Sequence, residues 1–198
     1  AWIHQLSDLA SKRIPAGGPL ATPAAHKIVF MLSKIEYGVD LENIVDAMNV
    51  CAELSGSLVI VKPHTRGMSW NALGDRVDER VLNGASLSST DLIEWSDTVL
   101  FTGSSIAFQA MQLRKRVIFL KHCQRYRSIF DNSGAVLVAG NKADVYGFIG
   151  KGGPGVPSEA VDSFLTEHVY NGLRSGEVCR TVKEKIEEVE KQELSHAP

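Results

Sequence analysis

What this chain has little of narrows it first. It carries three cysteines in 198 residues, Cys51, Cys123 and Cys179. They lie far apart with no Cys-x-x-Cys spacing, which excludes a disulfide framework and argues against a cysteine zinc site. No apolar run approaches the roughly 20 residues of a membrane span. Positive charge is not in excess: 21 Lys and Arg face 23 Asp and Glu, for a net charge of -2. That balance argues against bulk nucleic-acid binding, which needs a basic face, and leaves room for local basic patches. The glycine-rich stretch Lys151-Gly152-Gly153-Pro154-Gly155 matches neither GxxxxGK[ST] nor GxGxxG and reads as a loop. No Asp/Glu pair has metal-like spacing, and no nucleophile set has a local signature, so no metal is expected. The N-terminus shows no pattern of charge, apolar stretch and cleavage site, and with the scattered cysteines this points to the cytoplasm. The chain opens Ala1-Trp2-Ile3 without Met and reads as a piece of something larger.

What is present is a full core's worth of apolar residues, 44% of the chain, arranged in alternation. Short β-branched runs at Ile28–Leu32, Leu58–Val61, Val81–Gly84, Thr98–Phe101, Arg116–Leu120 and Ala135–Ala139 read as strands. Between them come helical patterns. Asp40 caps one carrying Leu41, Ile44, Val45, Met48, Cys51 and Ala52. Ser88 with Asp91 has capping-box spacing ahead of Leu92, Ile93 and Trp95. Further helices are expected from Ser104 to about Leu113, over Asn141–Ile149, and over Glu159–Leu173 with Ser158 as cap. Strands alternating with helices predict an α/β, Rossmann-like three-layer domain with a parallel sheet of five or six strands. Three regions are expected. Residues 1–25, with Pro15, Gly17, Gly18, Pro19 and Pro23, form an irregular linker or N-terminal extension. Residues 26–175 form the binding domain. Residues 176–198 form a C-terminal amphipathic helix with Val178, Val182, Ile186 and Val189 on one face.

The chemistry is expected where strands end. In open α/β sheets ligands bind beyond the carboxyl ends of the strands. Lys62-Pro63-His64-Thr65-Arg66 follows the second strand, so Lys62 and Arg66 can meet phosphate oxygens and His64 can donate to one. Gly103-Ser104-Ser105 follows the fourth strand. Gly103 permits a tight turn and close approach, and Ser104 and Ser105 bring hydroxyls and a helix start to an anion. Simple capping by serine competes with that reading. Gln109 lies one turn on and could reach a sugar hydroxyl, or be an ordinary surface glutamine. His122, Arg125, Tyr126 and Arg127 could form a further wall or merely a polar loop. Asp131-Asn132 reads as a turn or a hydroxyl contact.

On these motifs, over residues 27–122, the chain resembles the C-terminal, donor-binding half of GT-B glycosyltransferases. It is similar to bacterial capsule and polysaccharide enzymes of the CDP-glycerol glycerophosphotransferase kind, and to Kdo and sialic acid transferases with a His-Pro motif. The stretches that carry the resemblance are Lys27–Leu32, Ile60–Arg66, and Asp91–Ala110 continuing into Arg116–Leu120. The resemblance implies donor-phosphate contacts for His64, Ser104 and Ser105, with His64 as the catalytic candidate. It implies Lys62, Arg66, Gly103 and Gln109 as further donor-binding positions. Two departures stand out. The proline precedes His64 rather than following it, and Gln109 stands where related enzymes often carry a ribose-binding Glu. The implied substrate is a CMP-, CDP- or UDP-linked sugar or polyol phosphate, with no bound cofactor. The implied partners are a glycan or lipid-linked acceptor and a missing N-terminal acceptor domain, through which the protein would sit peripherally on the inner membrane face. The isolated chain is expected to be inactive. Two competing readings stand beside this one: half of a UDP-GlcNAc 2-epimerase-like enzyme, and a non-catalytic nucleotide-binding module.

Overall fold

The computed structural model describes residues 19–34, 38–64, 70, 73–149, 153–170, 172–173, 177–178 and 180–186. Six strands form one parallel sheet: β1 (His26–Met31), β2 (Ser57–Lys62), β3 (Val81–Asn83), β4 (Thr98–Phe101), β5 (Arg116–Leu120) and β6 (Leu137–Ala139). Their order is β3-β2-β1-β4-β5-β6. The four central strands are buried along both faces, which is why they read as continuous apolar runs rather than alternating ones.

Among the described residues, the helices that cover the sheet are α1 (Leu41–Glu53), α2 (Ser89–Trp95), α3 (Ile106–Gln112), α4 (Lys142–Ile149) and α5 (Ser158–His168). Two cores result. One face packs Ile28, Phe30, Val59, Val61, Leu100 and Ile118 under α1 and α4. The other packs Val29, Met31, Ile60, Val99, Phe101 and Phe119 under α2, α3 and α5. The expected three-layer fold is present, with all six strands parallel. No helix among the described residues is long and apolar enough to cross a membrane.

Local signals placed most boundaries. Asp40 Oδ1 accepts the Glu42 and Asn43 amides and starts α1. Ser88 Oγ accepts the Asp91 amide and starts α2. Ser158 does not cap α5; Pro157 holds the cap position, and Ser158 is the first helical residue. The same helix stops at His168, short of Leu173. The expected irregularity of residues 1–25 fails at its end. Pro19–Ala21 form a 3-10 turn, Leu20 is buried, and its carbonyl accepts the Trp95 indole N–H at 3.1 Å. Residues 1–18, most of the expected linker, lie outside the described residues, as does Val189. In the C-terminal stretch, 180–186 are helical. Val182 and Ile186 are exposed there, while Val178 packs partly against the second core.

Candidate functional site

The strand order puts β1 beside β4 at the centre of the sheet. From β1 the chain leaves toward β2 through α1 on one face. From β4 it leaves toward β5 through α3 on the other. Two connections departing in opposite directions open a crevice at the carboxyl edge, where ligands of such sheets bind. A crevice of about 210 Å³ lies there, lined by Met31, Leu32, Lys62, Pro63, His64, Ser89, Ser104, Ser105 and Ile106. Lys62, His64, Ser104 and Ser105, separated by some forty residues in sequence, are thus brought to one place.

Sequence reasoning missed a buried hydroxyl pair, one residue past Leu32 and two before Ser104 of the lining. Thr102 Oγ1 lies 2.6 Å from Ser33 Oγ and accepts the Ser33 amide at 3.2 Å. Both residues are buried. The pair ties the end of β1 to the end of β4.

Lys62 is more constrained than a free phosphate ligand. Its ammonium donates to the Ala85 carbonyl at 2.7 Å and the Leu87 carbonyl at 2.6 Å. Burial lowers its pKa from the ordinary lysine value. Lysine has three donors, so two are spent on the loop leading into α2 and one remains at the crevice. Lys62 therefore also holds the α2 start, and with it Ser89, at the crevice rim.

The β4–α3 turn is partly spent and partly open. The Ser104 amide donates to the Thr102 carbonyl at 2.8 Å. The ladder of α3 begins with the Ala107 and Phe108 amides, which donate to Ser104 and Ser105, so the Ser105 and Ile106 amides precede it. Ser105 holds the cap position but makes no side-chain cap bond. The capping explanation for this serine is therefore removed. With seven residues, α3 contributes hydroxyls and amides rather than a large dipole. Gly103 is exposed, and a Cβ there would lie 2.9 Å from Gln124 Nε2. The glycine thus admits the Gln124 side chain, a second neighbour that no local signal announced.

Other expected residues fall elsewhere. Gln109 is 6% exposed on the inner side of α3 and does not line the crevice. A short helix wedged among α2, α5 and the sheet buries both flanks, and Gln109 lies on one of them. Thr65 and Arg66 lie outside the described residues. None of His122, Arg125, Tyr126 and Arg127 lines the crevice. His122 Nδ1 lies 3.0 Å from the Ala139 carbonyl, and the Arg125 amide donates to the Gly38 carbonyl. Their loop is therefore stitched toward α1 and β6. Among the described residues no three His, Cys, Asp or Glu side chains cluster as a metal site. Cys51 and Cys123 are free and buried, and burial pushes both thiols well above their ordinary pKa, which makes them inert.

No protein-family model matches the chain, and no curated protein matches it by sequence. Solved structures do match by fold. The wall teichoic acid polymerase TagF aligns over 98% of this chain and 47% of its own, with 16% identity and a TM-score of 0.51. The spinosyn rhamnosyltransferase SpnG aligns over 86% and 48%, with 16% identity and a TM-score of 0.51. UDP-GlcNAc 2-epimerase from Methanocaldococcus jannaschii aligns over 84% and 50%, with 13% identity and a TM-score of 0.51. The chain spans about half the length of each. Its fold is the Rossmann-like α/β architecture found in one half of GT-B enzymes.

Proposed function

We propose that this chain is the donor-binding half of a glycosyltransferase that uses a nucleotide-activated sugar or polyol phosphate, in polysaccharide or capsule biosynthesis. One observation carries the reading: the switch-point crevice gathers His64, the remaining donor of Lys62, and the Ser104 and Ser105 hydroxyls. These groups line one small volume on a fold that resembles half of TagF. The donor phosphate would sit there. His64 would donate to a phosphate oxygen and offset charge as the nucleotide leaves. The serine hydroxyls and the Ser105 and Ile106 amides would donate hydrogen bonds to the remaining oxygens.

The other half would supply the acceptor site and the opposite wall, since two-domain transferases react in a closed cleft that excludes water. The chain alone is accordingly expected to bind nucleotide weakly and not to turn over. Calorimetric titration of the 198-residue protein with CMP, CDP, UDP and GDP tests this reading. His64→Ala, and Ser104→Ala with Ser105→Ala, should each weaken binding by about tenfold or more. Unchanged affinity in both variants would remove these residues from the site. A second reading, an epimerase half, is favoured by the likeness to the archaeal enzyme. Preference for UDP over CDP would turn the assignment toward it.

A further inference from the structure

A second and larger cavity, of about 690 Å³, lies at the same edge of the sheet between the β5–β6 loop and α5. It shares no lining residue with the crevice. Its volume falls in the range of small-molecule sites. The loop that walls it is built rather than loose. Phe130 anchors it, buried in a ring cluster with centroids 4.8 Å from Phe101, 5.6 Å from Phe108, 5.9 Å from Phe119 and 5.4 Å from Phe164. Ser128 Oγ accepts the Phe130 amide, and Ser133 Oγ accepts the Ala135 amide. The Asp131 carboxylate accepts the Ser128 amide and stands 3.6 Å from Lys121 Nζ, holding that ammonium at the rim.

Among the described residues, three polar side chains on the cavity wall carry no hydrogen bond or ion pair, Arg127, Asn132 and Ser163, and Asp131 Oδ1 has no hydrogen-bond partner. Exposed Ile129 and nearly buried Phe164 supply apolar surface beside them. Two carboxylates share the wall, Asp131 facing Lys121 and Glu167 lying 3.9 Å from His168 Nε2, and the Arg127 guanidinium is the cation without a carboxylate partner. A preformed wall with an unpaired guanidinium, a half-paired ammonium, an amide and a hydroxyl suits an anion that carries hydroxyls beside it.

We propose that this cavity is a second binding site, for a phosphorylated polyol or sugar, in which Arg127 and Lys121 take the phosphate and Asn132 and Ser163 take neighbouring hydroxyls. The proposal stands independently of the nucleotide reading of the crevice. Calorimetry on the whole chain with glycerol 3-phosphate, inorganic phosphate and glycerol tests it, with CDP as the probe of the crevice. Glycerol 3-phosphate should bind saturably and more tightly than phosphate or glycerol alone. Arg127→Ala should weaken it by about tenfold, the loss of one charge-assisted hydrogen bond, and Asn132→Ala should weaken it less. Ser105→Ala should leave it unchanged. Arg127 and Asn132 are exposed, so thermal melts should match the parent. No saturable binding of glycerol 3-phosphate, or binding indifferent to both Arg127→Ala and Asn132→Ala, overturns the proposal. Phosphate binding as tightly as glycerol 3-phosphate overturns the assigned ligand class. Loss of CDP binding alone would count against the crevice reading and leave this site standing.

Discussion

The two edges of the sheet are tied by matching devices. At the carboxyl edge Lys62 donates to the Ala85 and Leu87 carbonyls, ahead of α2. At the amino edge Lys115 donates to the Glu94 and Ser96 carbonyls, at the end of α2. Burial lowers the pKa of both lysines. The helix is thus held at each end by a lysine from a strand terminus. β1 and β4 are joined twice as well: by Ser33 and Thr102 at the carboxyl edge, and by Lys27 and Asp97 at the amino edge. There the Lys27 amide donates to Asp97 Oδ2 and the Asp97 amide to the Lys27 carbonyl. The amino edge shows what such groups do when no ligand is in question: they brace. A cation at a strand end is therefore weak evidence for phosphate, and the case for the crevice rests on His64 and the uncommitted hydroxyl of Ser105.

The strongest way to break this comparison is to remove both braces in turn. Lys62→Met and Lys115→Met should each cost about 2–3 kcal/mol, since each strips charged donors from two carbonyls; denaturant midpoints measure it. Only Lys62→Met should also weaken nucleotide binding. Equal nucleotide affinity in the two variants would make Lys62 a brace and nothing more. Next in size, Thr102→Val keeps the shape and removes the hydroxyl, leaving the Ser33 amide and Oγ without their partner. A loss of about 1–2 kcal/mol is expected, against under about 1 kcal/mol for Asp97→Ala, whose bond is exposed. Thr102→Ser should recover most of the stability.

The smallest effect supplies a reference for a charge contact that braces nothing. Asp78, bonded by the Arg80 guanidinium, has its pKa held down at about 2 rather than 3.8. The sign follows from that direction: stability from the pair is present above 3.8 and is lost as pH falls from there through about 2. Arg80→Ala should return the Asp78 titration, followed by NMR, toward its ordinary value and leave stability near neutral pH almost unchanged.

The same contrast explains what could be read in the sequence. Strands β1, β2, β4 and β5 were legible because burial on both faces leaves uninterrupted apolar runs. Asp40 and Ser88 were legible because capping is local, spanning two or three residues. The grouping of Lys62, His64, Ser104 and Ser105 followed from the general rule for strand ends. The braces were not legible, because their acceptors are backbone carbonyls, which every residue has. The docking of Leu20 on Trp95 spans 75 positions and leaves no periodic trace. The burial of Gln109 was not legible, because its spacing from Ser105 fits a sugar contact or a surface position alike, and the enclosure of α3 on both flanks is set by distant elements. Ser158 was misread as a cap because serine is favoured there; the proline before it took the position instead.

The outermost strands bear on how this half-length chain behaves in a test tube. β3 and β6 each contain three residues. An open sheet invites other chains to add to its rim through unpaired amides and carbonyls. Three residues offer a foreign strand too short a template to hold. The parallel sheet can therefore stand without closing into a barrel and without recruiting copies of itself along its margins, so solutions concentrated enough for calorimetry should stay free of sheet-mediated aggregates.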